Sequence, residues 1–195
     1  MVKEMVGQHI ADLDPVEKVR TSLEFETLAT AAKLARRGAF FIAVYNTPAS
    51  RDRLIDDLRR RVDPLPLFIH ALSAEDYDPL EYLTALTEQQ REQQAVICFI
   101  DLEEAWPDGA RSLDRLRDSL ARYPHALILW LQQRPYSNLS STAPHFFSRN
   151  SGVFDLRLVG RDITGSGSAN GLRPFDSAVE RTRSASTRKH PFELR

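Results

Sequence analysis

Apolar residues recur along this chain in two alternating rhythms. Val16, Val19, Leu23, Leu28, Ala31, Ala32 and Ala35 fall near a 3.6-residue period, so Asp14–Arg37 reads as an amphipathic helix. Asp14–Pro15 supplies its cap and first turn, and Gly38 stops it. Phe40–Val44 follows as a continuous apolar run, too short for a helix and suited to a strand covered on both faces. Thr47–Pro48 opens the next helical pattern, carried by Leu54, Ile55 and Leu58 to about Val62. The same alternation continues with a strand at Leu65–Leu72, a helix at Pro79–Gln93 and a strand at Ala95–Ile100. It closes with a helix at Ala110–Arg122 and strands at His125–Leu131 and Gly152–Leu158. Five apolar strands separated by helical segments predict a three-layer α/β domain over residues 1–159, built on a mainly parallel five-stranded sheet.

Composition narrows the picture without naming a function. A length of 195 residues suits one domain with a tail, and the 42% hydrophobic and 27% charged content is that of an ordinary globular chain. A formal charge of −1 offers no global attraction to a nucleic-acid backbone, so nucleic acid is not the expected partner. The single cysteine, Cys98, excludes an internal disulfide and a multi-cysteine metal site. No apolar run approaches the roughly 20 residues of a membrane span, and the N-terminus lacks a signal-peptide core, so a cytoplasmic protein without a membrane partner is expected. Residues 160–195 are rich in Gly, Ser, Thr and Arg, with seven basic and four acidic residues, net +3, leaving −4 on the rest. That segment is expected to be a flexible tail, with Pro174–Arg183 as its one weak helical pattern.

Open parallel sheets bind ligands beyond the carboxyl ends of their strands, here Tyr45–Arg51, Asp101–Glu104 and Gln132–Tyr136. A phosphate-binding loop after the first strand needs glycines, a lysine and a Ser/Thr, so that backbone N–H groups and charge can hold the phosphates. Asn46-Thr47-Pro48-Ala49-Ser50-Arg51 has no glycine and no lysine, and its proline removes a donor. Ala95–Ile100 runs into Asp101, where a nucleotide hydrolase holds magnesium, but the next position is Leu102. Glu103 and Glu104 stand one step too far and are expected to point elsewhere. Arg51 either replaces the missing lysine or pairs with Asp101 as a structural ion pair across the strand ends. The five histidines show no ligand spacing, and Cys98, mid-strand, reads as an inert core thiol. Arg59–Arg61 complements a helix C-terminus.

The order of elements resembles the P-loop ATPase core of the STAND and AAA+ classes. Phe40–Leu58, Ala95–Glu103 and Leu127–Leu156 look more closely like the degenerate ATPase-like domain that precedes tetratricopeptide repeats in some bacterial proteins. That family keeps an Asn/Asp-x-Pro-x-x-Arg-x-x-Leu pattern in a loop without glycines, matched here by Asn46, Pro48, Arg51 and Leu54. It also keeps a stretch matched by Pro144, Phe146, Ser148, Ser151, Gly152, Val153 and Phe154. The chain departs from the family in that Gly160–Arg195 is too short for three helical repeats. The resemblance implies a P-loop-NTPase-like fold without a functional phosphate loop, with the Phe40–Val44 and His125–Leu131 strands side by side and Ala95–Ile100 next to them. It also implies a bacterial signalling or defence context.

Two functions follow. The first is a non-catalytic, ATPase-like adaptor or regulatory module, with neither catalytic residues nor cofactor. It binds another protein, or a second copy of itself, through the aromatic segment holding Tyr136, Phe146 and Phe147. The alternative is a nucleotide-binding or ATP-hydrolysing protein with a divergent loop. In that case Asn46, Ser50 and Arg51 hold ATP, Asp101 holds Mg, and Asp101 and Glu103 carry the chemistry.

Overall fold

The computed structural model describes residues 14–20 and 22–157. In chain order these form α1 (Pro15–Arg20), α2 (Leu23–Leu34), β1 (Ala39–Tyr45), α3 (Pro48–Val62), β2 (Leu67–Ala71), α4 (Pro79–Ala85) and α5 (Glu88–Glu92). There follow β3 (Val96–Ile100), a 3-10 turn at Leu102–Ala105, α6 (Asp108–Leu120), β4 (Ala126–Gln132), α7 (Gln133–Thr142), α8 (Pro144–Ser148) and β5 (Gly152–Asp155). The expected tail at 160–195, its helical pattern at Pro174–Arg183 and the end of the last strand at Leu158 lie outside the described residues.

All five strands form one sheet in the order β2-β3-β4-β1-β5, and every neighbouring pair is parallel. β1 and β4 are adjacent in the register Phe40↔Leu127 and Ile42↔Leu129, with β3 on the far side of β4. This is the arrangement that the ATPase-like resemblance implies. Side chains alternate between the faces, as the period of a strand requires. Phe41, Ala43, Tyr45, Cys98, Ile128 and Trp130 pack under α1, α2 and α3, while Phe40, Ile42, Val44, Phe99, Leu129 and Leu131 pack under α4, α6, α7 and α8. The result is a three-layer α/β architecture with a five-stranded parallel sheet between two helical layers.

Several boundaries differ from the sequence expectation, each for a local reason. The first helix is two: Ser22 leaves the helical conformation and its hydroxyl accepts the Phe25 N–H at 3.2 Å, starting α2 afresh. The helix expected at Pro79–Gln93 also divides, because Thr87 and Gln90 form a reciprocal capping box. The Leu65–Leu72 strand is an edge strand with Ile69 exposed, not one covered on both faces. α7 and α8 lie in the aromatic segment, for which no helix is expected, and they pack on the sheet through Leu139 and Phe146.

The Arg59–Arg61 cluster fastens the helical layer rather than serving only a helix end. Buried Asp57 accepts from Arg20 at 2.9 Å, Arg60 at 2.6 Å and Arg61 at 3.0 Å, and Arg61 lies 5.2 Å over the Phe25 ring. Burial alone raises a carboxyl pKa. Here the bonds from Arg20, Arg61 and Arg60 outweigh it and bring Asp57 down to about 2. Gly109 has a separate steric duty at the start of α6, where a Cβ would stand 2.6 Å from Leu102 Cδ1.

Candidate functional site

The carboxyl ends of β1, β3 and β4 converge on one rim, and Arg51 is its centre. α3 starts directly beyond β1 because Thr47 and Ser50 cap each other. The Ser50 N–H donates to Thr47 Oγ1 at 3.2 Å, the Thr47 N–H donates to Ser50 Oγ at 3.3 Å, and the Ser50 hydroxyl donates to the Thr47 carbonyl at 2.8 Å. Asn46 and Thr47 are exposed, whereas Ser50 is buried. The cap aims the next side chain, Arg51, back across the strand ends, where only 5% of the residue remains exposed.

Arg51 is held on three sides. Its Nη1 donates to Asp101 Oδ1, and to the Tyr45 hydroxyl at 3.4 Å, and its Nε donates to Asp52 Oδ1 at 2.9 Å. The guanidinium also lies 5.4 Å over the Tyr45 ring, a cation–π placement. Burial disfavours the charged guanidinium, but the bonds to Asp101 and Asp52 outweigh it, so the net pKa lies above the ordinary arginine value. Tyr45, itself buried and packed at 6.5 Å from Trp130, is pushed up to about 12, first by burial and then by the charge of Glu103. The ion pair considered for Arg51 and Asp101 is therefore present. Arg53 points elsewhere, 3.7 Å from Asp14.

Asp101 adopts φ 61° and ψ 28°, the left-handed region that a non-glycine residue enters at a cost. The turn corrects the expectation for Glu103. Leu102 is driven into the core, and the 3-10 turn swings Glu103 back to the strand ends. There its Oε1 accepts the Gln132 N–H at 2.7 Å, while Oε2 is buried without a hydrogen-bond partner among the described residues. Glu104 is exposed. The rim thus pairs the carboxylates of Asp52 and Asp101 with Arg51, while Glu103 stands by at the Gln132 N–H. Among the described residues, no three His, Cys, Asp or Glu side chains group as a metal site.

The aromatic segment divides. Phe146 is 2% exposed, edge-on to Phe40 at 5.3 Å, and its N–H donates to Asp114 at 2.7 Å. It is a core residue that pins α8 to α6, which removes it from any exposed contact set. Tyr136 and Phe147 remain half-buried, with ring centroids 6.3 Å apart. Cys98 is buried and its thiol is pushed up to about 12 by burial. His125 is buried beside Tyr123, and His70 stacks on Tyr82 at 4.3 Å; burial lowers both pKa values.

No family model and no curated protein matches the chain. Among solved structures, it is similar to a DNA polymerase III gamma subunit-related protein from Thermotoga maritima, at 16% identity and a TM-score of 0.44. The match covers 71% of this chain and 47% of that one, so this chain spans about half of that protein's length. Activity does not transfer across a likeness of that size.

Proposed function

We propose that the chain is a non-catalytic ATPase-like adaptor or regulatory module that works by binding another protein. The observation that carries this reading is the state of Arg51. The cation that would meet a nucleotide phosphate is already shared between Asp101 and Asp52 over the Tyr45 ring. The rest of the loop supports the same reading. Pro48 offers no N–H, and both the Ser50 hydroxyl and its N–H are engaged by Thr47. With Arg51 engaged and no lysine in the loop, little free positive charge is left there for a polyphosphate. The partner surface is Tyr136 with Phe147, whose half-buried rings keep apolar area that a partner could cover. A setting in bacterial signalling or defence rests on the sequence resemblance alone.

One observation favours the second reading, a nucleotide-binding protein with a divergent loop. Glu103 returns to the strand ends with an unpartnered oxygen, as a residue that positions water would. Thermal melting, calorimetry and phosphate-release assays on the full chain with Mg-ATP separate the two. The adaptor reading expects no melting shift at about millimolar ATP and no phosphate release. Micromolar affinity that Arg51→Ala abolishes overturns it. On the partner side, Tyr136→Ala with Phe147→Ala should reduce complex formation or self-association while melting stays cooperative. Loss of binding on deleting 160–195 alone would move the surface to that segment.

A further inference from the structure

The opposite rim, at the amino ends of the strands, carries a cavity of about 590 Å³ that the reading above does not use. Three arginines line it, each from the segment that leads into a different strand. Arg37 precedes β1, Arg91 lies on α5 before β3, and Arg122 precedes β4. Those strands are neighbours in the sheet, so residues far apart in sequence meet at one recess.

None of the three guanidiniums has an ion pair or a side-chain hydrogen bond among the described residues. Basic residues are common at helix C-termini because they complement the last carbonyls. Here those carbonyls are met otherwise. The Gln94 amide donates to Lys33 O at 3.4 Å and to Ala35 O at 2.7 Å beyond α2, and the Ala121 N–H returns to Arg117 O at the end of α6. Part of the capping duty that would account for Arg37 and Arg122 is thus filled by other groups.

The loops that bear these arginines are also tied to each other. Gln94, just before β3, bridges to the segment before β1. Gly38, at φ +81°, lies so near the segment before β4 that a Cβ there would stand 3.3 Å from Ala121 O. The positive φ and the close approach together call for glycine. Cross-tied loops leave less backbone freedom to lose on binding, the arginine side chains themselves staying free.

The lining defines the ligand. Three arginines and one acidic residue, Glu92, line the recess, a formal surplus of two positive charges. Leu80, Tyr123 and Pro124 add an apolar wall, and Ser119 adds a hydroxyl. A phosphate monoester carries a charge of roughly −1.5 to −2 near neutral pH, and the arginine fork matches its oxygens. The volume lies in the range of about 300–1,000 Å³ typical of small-ligand sites. We infer that this cavity is a binding site for a small phosphate monoester bearing a flat or apolar group. The inference is independent of the reading given to the carboxyl rim.

Calorimetry with phenyl phosphate on the full chain, at physiological salt, tests it. Saturable binding near roughly 0.1–1 mM is expected, with inorganic phosphate weaker because it leaves the apolar wall uncovered. Arg91→Gln with Arg122→Gln should weaken phenyl phosphate by at least about tenfold, since each removes a charge-assisted bond. Both arginines are exposed, so the melting temperature of this variant should be unchanged, and Arg134→Gln on α7 serves as the charge control. Absence of saturable binding overturns the proposal, as does equal loss in the Arg134→Gln control. A short single-stranded RNA that binds more tightly than phenyl phosphate, and loses affinity in the double variant, overturns it in favour of a polyanion face.

Discussion

The two rims of the sheet use arginine in opposite ways. At the carboxyl rim one guanidinium is buried, shared between two carboxylates and packed on an aromatic ring. At the amino rim three exposed arginines line an open recess, with Glu92 as its one acidic lining residue. A buried charge must be compensated within the fold, and once compensated it has little left to offer a ligand. An exposed, unpaired charge contributes little to folding but keeps its full attraction for an anion. The contrast therefore separates stability from binding. Arg51 belongs to the first and Arg37, Arg91 and Arg122 to the second.

The largest expected effect comes from removing the buried cation. Arg51→Ala strands Asp101 and should cost about 2–3 kcal/mol, somewhat below the usual loss for a fully buried pair because Asp101 is one-third exposed. Urea unfolding measures it, and a loss below about 0.5 kcal/mol would place Arg51 among ordinary surface residues and dissolve the contrast.

Next comes the Asp57 cluster, a second compensated charge whose effect is read through pH. Its folded pKa of about 2 lies below the unfolded value near 3.9. The stability it contributes, about 2 kcal/mol, is thus present above pH 4 and is lost as pH falls toward 2. Asp57→Asn should flatten the stability curve between those values; an unchanged acid limb would show that the three arginines do not hold the carboxylate in solution.

The smallest expected effect completes the comparison. Arg122→Gln should change unfolding stability by no more than about 0.5 kcal/mol, the usual range for exposed substitutions. A loss comparable to that of Arg51→Ala would mean that the amino rim is structural too.

Much of this fold was legible because a parallel sheet buries both faces and so writes its strands as uninterrupted apolar runs. Phe40–Val44 and Ala95–Ile100 fall within a residue of β1 and β3. The divided helices read as continuous by periodicity, although Ser22 before α2 and the Thr87–Gln90 capping box signal the breaks. α7 was harder: its Ser, Asn and Thr are weak helix formers, and Leu139 is its only buried side chain. At the carboxyl rim the topology allows the pairing of Arg51 with Asp101 as one of two readings, and the structure shows that pair. The return of Glu103 was not legible, because it depends on a left-handed φ at Asp101 that no spacing reveals. The arginine cavity was hidden for another reason. Each of its cations, taken singly, reads as a helix-end charge, and only the strand order brings them together.

The left-handed turn at Asp101 sets two demands on one position, and they pull its tolerated replacements apart. For the backbone alone, glycine would be preferred, and asparagine is among the residues that tolerate this conformation. Either would leave Arg51 with a weaker counter-charge in a nearly closed pocket. Drift at this position is therefore confined to an acidic residue unless position 51 changes with it. Asp101 and Arg51 should be inherited as a pair, exchanged together or retained together. A set of homologous chains in which glycine at 101 coexists with arginine at 51 would show that the backbone demand is the stronger.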